Sequence, residues 1–127
     1  MKSLYETMID TYGRDAQLDM VIEEMAELTQ AILKLRRAER RNSKEKRAII
    51  EWETKEGKML IKALEGDVAK KTEDLIGEWA DVTLMLAQLR VMIPGKYEYA
   101  LEDKIQAAAN KLKTVGLIPG QDFEAIA

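Results

Sequence analysis

Two acidic pairs, Glu24-Met-Ala-Glu27 and Glu78-Trp-Ala-Asp81, are the side chains of this 127-residue sequence best placed to do chemistry. Each pair is embedded in an apolar pattern of helical period. Carboxylates three residues apart lie on one side of a helix, about one turn from each other. Two such helices packed side by side bring four carboxylates to one point. Four like charges repel unless a cation sits among them, and the hard divalent cation that prefers oxygen ligands is Mg²⁺.

The rest of the composition narrows the chemistry. The chain has neither cysteine nor histidine, which excludes disulfides, thiolate metal sites, imidazole bases and the His-containing triads. Carboxylates, Lys, Tyr, hydroxyls and an oxygen-held metal remain. Hydrophobic residues make up 46% and charged residues 34%, with two prolines; that mix predicts one helix-rich domain over residues 1–127. A formal charge of −3 points to no particular partner. No apolar run reaches the roughly 18 residues of a membrane span, and the N-terminus carries no signal-like apolar region. The expectation is a soluble, cytoplasmic protein without a membrane partner.

These carboxylates need helices to carry them. Residues 3–12 read as a short helix stopped near Gly13. A long helix follows over about 15–40, with Leu18, Val21, Ile22, Met25, Leu28, Ile32 and Leu35 as its buried stripe. Asn42 or Ser43 is expected to cap the next segment. Residues 44–70 are charged and thinly apolar, and read as a helix or helical hairpin projecting from the core, weak at Gly57 and Gly66. Thr72 is expected to cap a helix over about 73–92, ended by Pro94-Gly95, apolar on most of its circumference and the most buried of the set. A last helix spans about 97–114 and closes at Gly116; the tail after Pro119 is loose or packed on a partner. The fold class is all-α: a four-helix bundle with an extra charged helical insertion over about 41–71.

Helical geometry then places the pairs. With Met25 at the stripe centre, Glu24 lies about 100° away and Glu27 about 160° away, along one border of the buried face. With Val82 at the centre of its helix, Glu78 is only about 40° off, and Asp81 lies farther to the same side. A carboxylate that deep in an apolar face needs a cation, hydrogen bonds or neutralisation. A metal is the economical answer; pairing of Glu78 with Lys104 or another base is the structural alternative, which would make the chain a non-catalytic helical interaction module. Gln17 shares the line of Glu24 and could reach a base or sugar. Trp79 is expected in the core. The basic cluster from Lys34 to Arg47 reads as a solvated helix end rather than a nucleic-acid surface.

The stretch Gln17-Leu-Asp-Met-Val-Ile-Glu-Glu-Met-Ala-Glu-Leu, followed by Glu78-Trp-Ala-Asp81-Val, resembles the MazG-like branch of the all-α nucleoside triphosphate pyrophosphohydrolases, whose signature is E-x-x-E on one helix and E-x-x-D on the next. The resemblance implies Mg²⁺-dependent cleavage of (d)NTPs between the α and β phosphates, with Glu24, Glu27, Glu78 and Asp81 as metal ligands. It also implies a homodimer or homotetramer. Glu24 and Glu27 are the candidates for activating the attacking water. Lys104, Asn110 and Lys111 on the last helix are the counterparts of residues that bind the phosphates. The separation between the two halves, about fifty residues, is longer than in small members of the family; residues 41–71 are the extra part.

Overall fold

The computed structural model describes residues 1–116, the side chain of Trp52 excepted. Helices α1 (Leu4–Tyr12), α2 (Arg14–Ile49), α3 (Lys55–Met92) and α4 (Tyr97–Thr114) account for nearly all of them, with one short 3-10 turn at Ile50–Trp52. No strand occurs among the described residues, so the protein is all-α. The backbone divides into two compact units, Met1–Met92 and the segment from Ile93 onward. The expectation for the tail after Pro119 falls outside the described residues.

Helix α1 starts in a capping box. Ser3 accepts from the Glu6 N–H at 3.1 Å, and Glu6 accepts from the Ser3 N–H at 3.4 Å, which satisfies two otherwise orphaned donors. Gly13 ends α1 and opens α2 at once. Its N–H donates to Ile9 O at 2.8 Å and its carbonyl accepts from Gln17 N–H at 3.1 Å. A φ of +90° at Gly13 lies where side-chain-bearing residues are strained, so glycine suits this sharp junction.

The first unit is dominated by an antiparallel hairpin of α2 and α3. Gln17 pairs with Gln88 at one end, and Lys46 pairs with Glu65 at 2.7 Å toward the turn. The side chains facing the partner helix follow alternating steps of four and three residues. On α2 they are Gln17, Val21, Glu24, Leu28, Ala31, Leu35, Ala38, Asn42, Glu45 and Ile49, all buried or half-buried. On α3 the same rhythm runs through Gly57, Ile61, Leu64, Val68, Lys71, Leu75, Glu78, Val82, Met85, Leu89 and Met92. This is the heptad spacing of a two-helix seam. At 1.5 Å per residue, the 36 residues of α2 extend about 54 Å.

That seam corrects several expected boundaries. The charged segment is the expected helical hairpin, and its two arms are continuous with the helices on either side, as the distal half of α2 and α3. Asn42 and Ser43 cap nothing, because α2 runs on to Ile49. Thr72 lies inside α3, its hydroxyl donating to Val68 O at 2.8 Å. The capping role falls to Thr54, whose Oγ1 accepts from the Gly57 N–H at 3.0 Å. Gly57 is buried on the seam and Gly66 faces open space. An interior glycine costs a helix only about 1 kcal/mol, and the continuous seam on either side outweighs it.

The apolar stripe centred on Met25 is corrected as well. Met25, Ile22 and Ile32 are exposed, as are Ile76, Trp79 and Leu86 on α3. One helix covers only a narrow arc of its neighbour, so α3 is buried along its seam and not over its whole circumference. Trp79, at 59% exposure, is not a core residue.

Candidate metal centre

The seam register explains why three of the four expected carboxylates meet, with the fourth, Asp81, beside them rather than among them. Glu24 and Glu78 occupy seam positions on α2 and α3, each flanked along the seam by apolar residues: Val21 and Leu28 for Glu24, Leu75 and Val82 for Glu78. Glu27 and Asp81 follow them by three residues, one turn along the same side of each helix. Because the helices are antiparallel, the two pairs lie at the same level of the hairpin. Oxygens of Glu24, Glu27 and Glu78 all fall within 4.8 Å of one another. Asp81 stands at the rim, exposed, lining the same open groove as Glu27 and Glu78.

The electrostatics of this cluster are unresolved by the protein itself. Oε2 of Glu24 and Oε2 of Glu78 are both buried without a hydrogen-bond partner. Burial pushes the Glu24 carboxyl above the ordinary glutamate range, and repulsion from Glu27, Asp81 and Glu78 pushes it further. Burial likewise raises Glu78, with Glu27, Asp81 and Asp74 adding to the shift. The hairpin's ion pairs, Arg41–Glu45, Lys46–Glu65 and Lys71–Asp67, lie closer to the turn. Interhelical salt bridging therefore does not account for the two seam glutamates. Buried, unpartnered, converging carboxylate oxygens form a hard, anionic donor set, and that set fits a divalent cation with oxygen preference.

A groove of about 430 Å³ opens beside the cluster, a size that suits a small-molecule site. Gln30, Lys34, Lys71, Glu73 and Asp74 line it together with Glu27, Glu78 and Asp81. Sequence reasoning passed over Lys34 and Lys71 as groove residues. The signal was present: each lies one heptad from a cluster carboxylate, Lys34 after Glu27 and Lys71 before Glu78.

The other expected site residues are placed as follows. Gln17 is 4% exposed and lies between the helices, not in the groove. Its Nε2 donates to Gln88 Oε1 at 2.5 Å, and Gln88 Nε2 lies 3.4 Å from Met85 Sδ. Lys104, Asn110 and Lys111 are exposed on α4, in the second unit. The Asn110 Oδ1 accepts from Gln106 Nε2 at 2.9 Å.

The Gln17–Gln88 pair gives a direct test of this layer. Gln88→Ala leaves the Gln17 amide buried and unpaired, which costs about 1–3 kcal/mol beyond lost packing. The double change Gln17→Leu with Gln88→Leu removes both partners and is expected to stay within about 1 kcal/mol of the parent. Urea unfolding of the single and double variants measures both values.

Comparison of the chain with known protein families, with characterised proteins and with solved structures gives no match.

Proposed function

We propose that the protein is a Mg²⁺-dependent nucleoside triphosphate pyrophosphohydrolase, converting (d)NTPs to the monophosphate and pyrophosphate. The observation that carries this reading is the pair of buried, unpartnered oxygens on Glu24 and Glu78, with Glu27 completing a three-oxygen cluster. The acidic motif spacing that resembles the MazG-like enzymes supports the same reaction. Glu24, Glu27, Glu78 and Asp81 would hold the Mg²⁺, which would supply Lewis-acid charge to the phosphate oxygens and a more acidic bound water.

The protein's own groups divide the remaining work. Glu24 and Glu78, fixed by the seam, hold their oxygens in place. Glu27 is exposed, and is free to turn a carboxylate oxygen toward an attacking water and take its proton. The open groove admits the polyphosphate, and fixed charges beside it stabilise the departing pyrophosphate.

Self-association belongs to this proposal, as a homodimer or homotetramer. Ile22, Met25 and Ile32 on α2, with Ile76, Trp79 and Leu86 on α3, leave apolar surface uncovered, as faces buried between subunits do. Among the described residues no helix is long and apolar enough to cross a membrane, and a cytoplasmic nucleotide-pool role fits that.

Pyrophosphate release from a panel of dNTPs, with Mg²⁺ and then with EDTA, tests the activity. Turnover that appears with metal and vanishes with chelator is the expected result. Folded protein that releases none from any nucleotide refutes the reading.

A further inference from the structure

Resting on that function, we infer that Lys34 and Lys71 form the subsite for the terminal phosphates, so that the substrate lies along the hairpin with its leaving pyrophosphate toward the turn. Both lysines line the carboxylate groove. Both also line the adjoining groove nearer the turn, with Arg37, Arg41 and Asp67. They are the residues common to the two, and so mark where an acidic wall gives way to a basic one.

The register makes this placement systematic. Lys34 is seven residues beyond Glu27 and Lys71 seven before Glu78, so each stands two turns, about 10.5 Å, toward the turn on the line of its carboxylate. Helical side chains lean toward the N-terminus of their own helix. Lys34 on α2 therefore leans back toward the carboxylates, while Lys71 on the antiparallel α3 leans outward. The pair spans the interval rather than crowding one point. No ion pair is found for Lys34 among the described residues, and Lys71 has only a long one, 4.0 Å to Asp67. Residues 34–73 carry thirteen Lys and Arg against eight Asp and Glu, although the whole chain is at −3. A bound triphosphate gains most when its most highly charged end faces that segment. Glu73 and Asp74 also line the groove and repel phosphate, which leaves Lys34 and Lys71 as its cationic contacts there.

Calorimetric titration with inorganic pyrophosphate in Mg²⁺ separates this role from catalysis. Lys34→Ala, an exposed change, and Lys71→Met, which keeps the seam filled, are each expected to weaken pyrophosphate binding about tenfold, the loss of one charge-assisted contact. Binding of a nucleoside monophosphate in Mg²⁺, and of Mg²⁺ alone, is expected to stay within about twofold. Lys34→Arg should recover most of the loss. Unchanged pyrophosphate affinity in the Lys34→Ala protein, with Mg²⁺ binding and hydrolysis intact, overturns this inference and leaves the proposed function standing. An equal loss for monophosphate and pyrophosphate overturns it too, since that is general attraction rather than a terminal subsite. Wild-type protein that binds no Mg²⁺ and hydrolyses nothing removes both.

Discussion

If the protein is the pyrophosphohydrolase proposed above, Glu78→Gln is expected to abolish metal-dependent pyrophosphate release, by at least about 10²–10³-fold, and at the same time to raise the melting temperature of the metal-free protein. The two effects have one cause. Glu78 sits on the seam with a buried Oε2 that nothing in the protein satisfies, and its carboxyl is held above the ordinary range by burial and by Glu27, Asp81 and Asp74. Gln keeps the shape and removes the charge. Without metal, the repulsion disappears and the melting point rises by about 3–5 °C, the range of an ordinary stabilising change in a domain of this size. With metal and substrate, a ligand is missing from the centre and the charge stabilisation it supported is lost. Kinetics and thermal melts on the same preparation check both halves. A variant that melts lower than the parent would instead mark Glu78 as a structural partner in an ion pair, and would return the chain to the non-catalytic reading.

The proposed metal centre predicts that Mg²⁺ will raise the melting temperature of the wild-type protein by about 10 °C at a hundredfold excess over its Kd, because binding to the folded state alone adds about 2.7 kcal/mol. The pH dependence carries a sign that identifies the residues. Glu24 and Glu78 have raised values in the folded, metal-free protein. Their contribution is fully present below the unfolded glutamate value of about 4.3 and is lost as pH rises through the folded values. The metal-free protein therefore loses this stability on going from acid toward neutral pH. Metal binding needs the deprotonated carboxylates, so the Mg²⁺-induced shift grows over the same interval. Melts of wild type and Glu78→Gln, each with and without Mg²⁺ across that pH range, isolate the effect from the other acidic groups. A wild-type melting point indifferent to Mg²⁺ at neutral pH defeats the metal centre.

The ends of α1, α3 and α4 were legible because punctuation marks them: Gly13 for the first, Pro94-Gly95 for the second and Gly116 for the third. The turn between α2 and α3 was misplaced for an equally physical reason. Asn42, Ser43 and Thr72 are residues that cap helices when a helix ends, and glycines weaken helices when nothing supports them. Neither rule sees a partner helix. Trp79 was expected inside because an apolar arc on a helix predicts burial but does not say how much of the arc one neighbour covers.

By itself the sequence determined that the chain is all-α, that no thiol or imidazole chemistry is open to it, and that two carboxylate pairs stand one turn apart on separate helices. Those properties follow from residue types and from the fixed pitch of the α-helix, which act locally. Only the tertiary structure decided that the pairs meet at one level, that Glu24 and Glu78 lie on the seam itself, and that Lys34 and Lys71 line one groove with Glu27, Glu78 and Asp81. Such facts depend on which residue of α2 faces which residue of α3. The register of an antiparallel seam is fixed by the sum of its packing layers, and six of those positions (Gln17, Glu24, Asn42, Glu45, Lys71 and Glu78) are polar and break the very pattern that would have revealed it.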